Sequence, residues 1–494
     1  MKELKVFAAF SGLGMQELGI HMSNVYDYDW VHSITSEVEP NVIIARACSN
    51  NFGNEIDERE VDEITKELRP TQMAEYLTRL NIGLGEKDWF KYTNGKKLQY
   101  LKKLYASCIA TNNVGDINKV HINERYDMLI FSFPCTDLSG AGKQAGFGTE
   151  EHRTRSGQLY QIERIISEIE DVKERPNTLL LENVAPLIGK FKPQFDDWCK
   201  RLSQLGYNTY YEKINAKYCG NVPQNRERVF ALSIRKDLDN GNFHFPTPFD
   251  DGMRLCDVLD ENVDEKYYLS EKIQKRFKIT DPTLQKNVIG DTMPDFRTIG
   301  ERDAVYNVNG VMGALTATDY KQPKQVAEIH QIGTTKDGTE SWENPQTERV
   351  YGIDGLAPTL NTMQGGRREP HIAESIAMRG RYNADGTTSQ HLEVGSDTAN
   401  ALTTVQKDSM VLESNYRIRK LTPRECWRLM GLTKEMCDKA SAFGISDSSL
   451  YKIAGNGLCT NVVSLIIQHL YKAYHPNFVC DDEKFINSNA KVSA

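Results

Sequence analysis

The chain has 494 residues, 39% of them hydrophobic, and a formal net charge of -8 from 60 Lys and Arg against 68 Asp and Glu. At roughly 100–200 residues per domain this length holds two to four domains, and an ordinary globular composition excludes collagen, coiled coil and an extended disordered chain. The acidic balance excludes a protein coated uniformly in base, yet its basic residues can still gather on one face and meet a nucleic acid.

Residues 4–235 alternate short apolar runs with longer amphipathic ones. Leu4–Phe10, Met128–Phe133, Thr178–Leu181 and Val229–Ile234 have strand length. Val6–Met15 follows Lys2 and Lys5 as a signal peptide's core would, but it is short, contains Gly12 and Gly14 and lacks a cleavage site, so it reads as a strand and turn. Leu159, Ile162, Ile165, Ile166, Ile169 and Val172 share one helix face. Phe195, Trp198, Cys199, Leu202 and Leu205 share another, closed by Gly206. This alternation predicts an α/β fold whose parallel sheet is covered on both faces.

From about 247 to 416 the chain turns rich in Gly, Thr, Asp, Asn and Gln, with sparse apolar residues, as in a β- and loop-rich domain. Ala314-Leu315-Thr316-Ala317, Thr359-Leu360-Asn361-Thr362 and Ala401-Leu402-Thr403-Thr404 recur at a spacing of about 43 residues, and Ala327-Glu328 and Ala373-Glu374 follow the same rhythm. Duplicated modules and chance Leu-Thr matches explain this equally well. Helices return with Thr422-Pro423-Arg424-Glu425, a capping box with Pro at the first helical position, closed by Gly431. Val462, Val463, Ile466, Ile467, Leu470 and Tyr471 mark a last amphipathic helix. The α/β domain is thus interrupted by an insert and completed by the C-terminal segment.

Ten cysteines, at 48, 108, 135, 199, 219, 256, 426, 437, 459 and 480, include no Cys-x-x-Cys pair and none at zinc-ligand spacing from a histidine. No metal site and no disulfide scaffold are expected, and a reducing interior is. No run reaches the roughly 18 apolar residues of a membrane span.

Four short patterns sit at strand ends, where doubly wound sheets place their sites. Phe10-Ser11-Gly12-Leu13-Gly14 is a glycine turn that lets a ligand approach the backbone, with Glu37 some twenty residues on at ribose-gripping distance. A plain tight turn explains it too. Ser132-Phe133-Pro134-Cys135 offers a nucleophile or an inert buried thiol. Glu182-Asn183-Val184 offers an acid or a helix cap. In Gln224-Asn225-Arg226-Glu227-Arg228 alternate residues share one face of an extended strand, or form a solvated charge run. Together, a Cys, a Glu and an Arg beside a nucleoside-type pocket suggest covalent chemistry on an electron-poor ring.

In their order these motifs resemble the DNA (cytosine-5)-methyltransferases of bacteria and their phages, over residues 4–235 and 417–470. Arg419-Lys420-Leu421-Thr422-Pro423-Arg424-Glu425 is similar to the family's motif beside the recognition domain, and Gly455-Asn456-Gly457 with Asn461 to its last motif. The resemblance implies an α/β, Rossmann-like S-adenosylmethionine-dependent methyltransferase sheet with helices on both faces and a smaller β- and loop-rich target-recognition domain across a DNA cleft. The expected layout is a catalytic domain over 1–246 with a 54–112 insert, a recognition domain over 247–416, and a completing segment over 417–494.

It also implies roles. Cys135 is the nucleophile, Glu182 the acid at the ring's N3 and amine, and Arg228, for preference, or Arg226 the donor to O2, with Pro134 and Asn183 beside them. Phe10 stacks on the adenine of S-adenosylmethionine, Glu37 holds the ribose and Asp116 the adenine amine. Gly12, Gly14, Val38, Ile117, Pro134, Leu159 and Asn456 complete the cofactor pocket. Ser139, Gly142, Lys143, Gly146 and Phe147 form a loop that closes over DNA, and Gln224 touches DNA. The expected partner is double-stranded DNA, met by a cytoplasmic monomer of a bacterial or phage-infected cell, without a membrane, and with a cognate restriction endonuclease left open.

Three departures from the family pattern stand out: Ala8 for an acid, Met15 for a glycine, and Thr136 where many relatives carry Gln. The 54–112 insert separates Glu37 from Asp116 unusually far. Its basic run Lys96-Lys97-Leu98-Gln99-Tyr100-Leu101-Lys102-Lys103, like Lys91-Tyr92, reads as a solvated helix face or a phosphate grip. Rival readings lack their signatures. A tRNA-directed relative carries Cys-Phe-Thr in its recognition region, an amino-methyltransferase carries a Pro-Pro motif, an inactive DNA-binding relative lacks a catalytic side chain, and a nicotinamide oxidoreductase has no use for Pro134-Cys135.

Overall fold

The computed structural model describes residues 3–28, 34–135, 137–138, 146–148, 154–219, 221–268, 270, 278–279, 287–292, 304–308, 310–317, 319–321, 323–329, 331–334, 349–352, 371–373, 375–382, 388–395, 409–410 and 416–492. The chain divides into two compact units. One joins Met1–Leu259, Met312–Gln322 and Thr422–Ala494; the other joins Asp260–Val311 and Pro323–Leu421.

The central sheet of the first unit has six strands among the described residues: β1 (Val6–Ala9), β2 (Ile34–Ser36), β3 (Met128–Phe131), β4 (Thr178–Val184), β5 (Tyr207–Asn215) and β6 (Glu227–Arg235). Their order is β2-β1-β3-β4-β6-β5. β1 and β3 are buried at every position, as a sheet covered on both faces requires. The expectation of a parallel sheet holds for β2, β1, β3 and β4 and fails at β6, which runs antiparallel to both β4 and β5. Apolar content reveals a strand but not its direction. β5 was missed because its side chains are mostly half-buried or exposed.

Helix α1 (Met15–Met22) follows β1, and α2 (Pro40–Ser49) follows β2. The 54–112 insert is helical, with α3 (Glu58–Thr65), α4 (Pro70–Arg79) and α5 (Leu98–Ala110). α5 buries Leu101, Leu104 and Cys108. Its basic residues are braces: Lys102 pairs with Asp62, and Lys103 pairs with Glu58 and donates to the Phe443 carbonyl oxygen. Tyr100 donates to Asn41. A phosphate grip is therefore not built on these residues.

α6 (Leu159–Ser167) buries Leu159, Ile162, Ile165 and Ile166 as expected, but Val172 lies beyond the helix and is exposed. α7 (Lys192–Gln204) buries Phe195, Trp198 and Leu202 and ends before Gly206, whose φ is 96°.

The C-terminal segment returns as α8 (Pro423–Arg428), α9 (Lys434–Ala442), α10 (Asp447–Asn456), α11 (Thr460–Tyr474) and α12 (Asp481–Val492). The capping box forms: Thr422 Oγ1 accepts from Glu425 N, and the Glu425 carboxylate accepts from Thr422 N. Asp447–Tyr474 has the length and average hydropathy of a membrane span, although no unbroken apolar run of that length occurs in it. It is broken into α10 and α11, and 78% of its most apolar window is buried inside the protein. At the α11–α12 junction His469 Nε2 lies 3.0 and 3.1 Å from the Asp482 carboxylate oxygens. Cys480 brings a third ligand-type atom within 4.8 Å, and Asp482 also accepts from Thr247 N. Sequence spacing gives no hint of this cluster.

Among the described residues the second unit holds a five-stranded sheet of Lys278–Ile279, Val288–Asp291, Ala304–Tyr306, Gln325–Ile329 and Tyr416–Lys420, in that order, and two three-stranded sheets. Ala304–Tyr306 pairs in parallel with Gln325–Ile329, and Arg349–Gly352 pairs in parallel with His371–Ala373. Each parallel pair flanks one copy of the Leu-Thr motif in sequence. The copies at 359–362 and 401–404 lie outside the described residues, as do Ser139, Gly142, Lys143 and Thr136.

The glycine turn rests on a buried ion pair. Gly14 has φ 81°, and a Cβ there would meet the Arg46 guanidinium carbon at 3.0 Å. Arg46 Nη2 donates to Glu17 Oε1 at 2.8 Å, with both side chains at most 2% exposed. Arg46→Ala leaves the Glu17 charge buried without this partner. It should lower the unfolding free energy in urea by about 3–5 kcal/mol; a loss below about 1 kcal/mol would show that the pair does not hold the turn.

Candidate active site

β3 delivers Ser132-Phe133-Pro134-Cys135 at its carboxyl end, and β4 carries Glu182 and Asn183. Glu182 pairs with Phe230 of antiparallel β6, and Val184 pairs with Arg228. Glu182 and Arg228 are therefore diagonal neighbours on one face of the sheet. Arg228 Nε lies 3.3 Å from Glu182 Oε1, and Ser132 Oγ donates to Glu182 Oε2 at 3.0 Å. Gln16 Nε2, from α1, donates to Ser132 Oγ at 2.7 Å. Glu182 is 7% exposed, so these contacts fix its carboxylate in a largely dry place.

Cys135 is exposed, but protein atoms crowd its thiol. That desolvation, followed by the Glu182 charge, raises its pKa above the ordinary thiol range, while Arg228 and Arg226 pull it back. The loop carrying it is braced. Asn183 Nδ2 donates to Phe133 O, Ser156 Oγ donates to Pro134 O, and Asp137 accepts from Arg155 N. Asn183 is 2% exposed and spends both ends of its amide on backbone, so it holds the loop and does not face a substrate. Phe147, expected over DNA, is a core residue packed against Phe133.

Gln224 and Arg226 also depart from expectation. Gln224 is fully buried; its Oε1 accepts from Leu315 N and its Nε2 donates to Leu429 O, so no group is left for DNA. Arg226 donates to Leu315 O, Gly455 O and Gly457 O. Burial, and then Arg228, lowers its pKa, but three carbonyl oxygens accept from its guanidinium. The three residues do not point together: Gln224 and Arg226 clamp the 312–322 and C-terminal segments, and Arg228 alone reaches Glu182. Met15, in place of the family's glycine, sets its sulfur 2.3 Å from the position a Gly457 Cβ would take, so a larger residue at 457 would displace the Met15 side chain.

The candidate cofactor residues gather at the ends of β1 and β2. Phe10 is half-buried, with φ 53°. Glu37 accepts from Gly12 N at 2.8 Å with one oxygen and from Val38 N and Glu39 N with the other. Burial raises its pKa against these lowering hydrogen bonds. Asn113, absent from the sequence reading, aligns two loops: its Oδ1 accepts from Glu37 N and Gly115 N, and its Nδ2 donates to Glu37 O. Asp116 Oδ1 accepts from the Asn118 backbone and side chain, and its Oδ2 from Asn81 Nδ2. Ile117 and Leu159 are buried nearby in sequence-expected places, and Asn456 is exposed at the end of α10.

A nucleoside cofactor fits among these residues. A Cβ on Gly12 would meet no atom within 4 Å, so the turn opens onto free space, and the buried Ser11 Oγ has no hydrogen-bond partner. Gln16, Asn113, Asp137 and Ser156 escaped the sequence reading because each acts on a residue distant in the chain, and Ser132 stood there only as part of the Cys135 pattern.

Sheet order, glycine turn and strand-end carboxylates define an α/β methyltransferase. The family profile described as C-5 cytosine-specific DNA methylase matches residues 72–472. The chain is similar to the type II methyltransferase M2.ScrFI of Lactococcus lactis subsp. cremoris, 28% identical over 95% of this chain and 99% of that protein. It is also 28% identical to the orphan methyltransferase M.SPBetaI of Bacillus phage SPbeta, over 74% of this chain and 87% of that one. Among solved structures it resembles the Entamoeba histolytica methyltransferase EhMeth at 12% identity and TM-score 0.49, covering 97% and 100% of the two chains. The chain belongs to the C-5 cytosine-specific DNA methylase family. It is a DNA cytosine-5 methyltransferase, a class that takes its methyl group from S-adenosylmethionine.

Iodoacetamide alkylation of Cys135 should have its pH midpoint above that of an ordinary thiol. Glu182→Gln removes the negative charge that favours the thiol, so the midpoint should fall. Arg228→Gln should raise it. Unchanged midpoints in both variants would dissociate Cys135 from this pair.

Proposed function

We propose that the protein methylates C5 of a cytosine flipped out of double-stranded DNA, through a covalent bond between Cys135 Sγ and ring C6. The observation that carries this reading is Glu182, held between Ser132 and Arg228 at 3.0 and 3.3 Å, beside the exposed Cys135. C5 of cytosine is a poor nucleophile. As the Cys135 thiolate bonds to C6, the ring's electron pair moves to make C5 an enamine carbon. Glu182 hydrogen-bonds N3 and the exocyclic amine as charge develops there. Arg228 Nη1 is held by Glu227 O, which leaves Nη2 to donate to O2. After C5 has taken the methyl group, loss of its proton restores the C5–C6 double bond and expels the thiolate. A stacked base is out of reach of Cys135, so flipping precedes attack.

When bound, S-adenosylmethionine supplies an electrophilic methyl group. Phe10 would face its adenine, Glu37 its ribose hydroxyls and Asp116 its amine. Gly12, Gly14, Val38, Ile117, Pro134, Leu159 and Asn456 would line the remainder. Ser139 and Lys143 belong to the loop that meets DNA. The protein acts as a cytoplasmic monomer in a bacterial or phage-infected cell, and a co-resident endonuclease of the same specificity would be its partner. The region expected at 247–416 reads the target sequence, through its parts outside 312–322, which belong to the first unit. The recurrence of a parallel strand pair around the first two Leu-Thr copies supports separate recognition modules there.

On duplex DNA with 5-fluorocytosine at the target and S-adenosylmethionine present, β-elimination is blocked because C5 carries fluorine in place of the proton that must be removed to expel the thiolate. The wild type should therefore form a covalent complex that survives a denaturing gel. Cys135→Ala should form none and transfer no methyl group, yet still bind S-adenosylmethionine; substantial transfer by this variant would remove Cys135 from its role. Deleting the Leu-Thr module around 359–362 or around 401–404 should abolish one methylated sequence and spare others in bisulfite sequencing. A single methylated motif in the intact enzyme would count against separate modules.

A further inference from the structure

The 54–112 insert ends its first helical pair in a turn that touches both loops of the cofactor pocket. Leu80 O accepts from Asp116 N at 3.0 Å, and Gly83 N donates to Val38 O at 2.8 Å. The approach is tight: a Cβ on Gly115 would meet Leu80 O at 2.2 Å, so only glycine lets the turn seat against the Asp116 backbone. Asn81 sits in the left-handed region, with φ 55°, where asparagine is among the few residues at ease. Its Nδ2 donates to Asp116 Oδ2 at 2.8 Å.

The hydrogen bonds on Asp116 leave a specific vacancy for an acceptor role. Oδ1 already takes two donors, both from Asn118. Oδ2 takes one, from Asn81, so one lone-pair direction remains on Oδ2. Asn118 alone pins only one oxygen; Asn81 pins the other and fixes where that lone pair points. Asp116 is 6% exposed, so its carboxylate gains little from bulk water in holding this orientation.

We propose that Asn81 is a positioning residue for cofactor recognition: the insert aims the Asp116 carboxylate at the exocyclic amine of the adenine and thereby sets discrimination for an amino-bearing purine. This rests on the reading of Asp116 as the adenine-amine acceptor. The insert is then a wall of the cofactor pocket, and its turn is the part that matters.

The test uses the full-length enzyme with Asn81→Gly, which keeps the left-handed turn and removes the amide, and Asn81→Asp, which tolerates the turn and sets a like charge against Asp116. Calorimetry measures binding of S-adenosylhomocysteine and of its analogue with hydrogen in place of the 6-amino group. Wild type should prefer the amino compound by about tenfold, the worth of one hydrogen bond to a charged group. Asn81→Gly should weaken the amino compound about five- to tenfold and the analogue by less than twofold, raising KM for S-adenosylmethionine with kcat retained. Asn81→Asp should weaken the amino compound further. Equal weakening of both compounds, or no change in either, overturns the role of Asn81. Asp116→Ala separates the underlying reading: if it leaves the preference for the amino compound intact, Asp116 is not the acceptor and both ideas fall. If it abolishes the preference while Asn81→Gly does not, only the positioning role falls.

Discussion

The catalytic side chains meet because one strand of six runs against its neighbour. β6 enters the sheet at the end where β3 and β4 leave it, so its first residues stand beside Cys135 and Glu182. Were β6 parallel to β4, its nine residues, about 30 Å of strand, would carry Arg228 to the far edge of the sheet. The reversal places Arg228 diagonal to Glu182 on one face, within reach of the carboxylate. It also makes the segment before β6 available as a clamp. Gln224 and Arg226 turn away from the site and bind backbone carbonyl and amide groups of Leu315, Leu429, Gly455 and Gly457.

Around that constraint the polar groups form a graded scaffold. The reactive residues make few contacts, and the contacts they make lead inward to residues that have no other task. Glu182 is held by Ser132, and Ser132 by Gln16 of the first helix. The Cys135 loop is tied by Asn183, Ser156 and Asp137, so its backbone is set while the thiol stays accessible. Such pre-set geometry costs nothing at the moment of reaction, and it is the means by which a site of ordinary residues reaches a difficult ring carbon.

How much of this was legible follows from the distance over which each signal acts. Runs such as Met128–Phe131 and Thr178–Leu181 betray buried strands through local composition, and Cys135 and Glu182 stand out because strand ends are short, punctuated and chemically distinctive. Strand direction leaves no local trace, so the reversal of β6 escaped, and with it the separation of Arg228 from Gln224 and Arg226. Alternation along 224–228 predicted one shared face, but Arg226 N bonds back to Gln224 O and breaks the extended path there. Gln16, Asn113 and Asn81 act across the chain through one to three hydrogen bonds each, which impose no period on the sequence. The charges of Lys102 and Lys103 read as surface because their acidic partners lie some forty residues earlier, on another helix.

The polypeptide order of the first unit also sets a timetable for its birth on the ribosome. α1 is made within the first 22 residues, yet it packs along α11, which ends at residue 474, and Gln468 reaches back to the Ser23 carbonyl oxygen. At 5–20 residues per second the interval is roughly 20 to 90 seconds. Throughout it the apolar side of α1 lacks its lasting cover, and the helix bearing Gln16 lacks its seat. A nascent chain therefore emerges unable to modify the genome beside it, and nearly its whole length must be synthesised before activity begins.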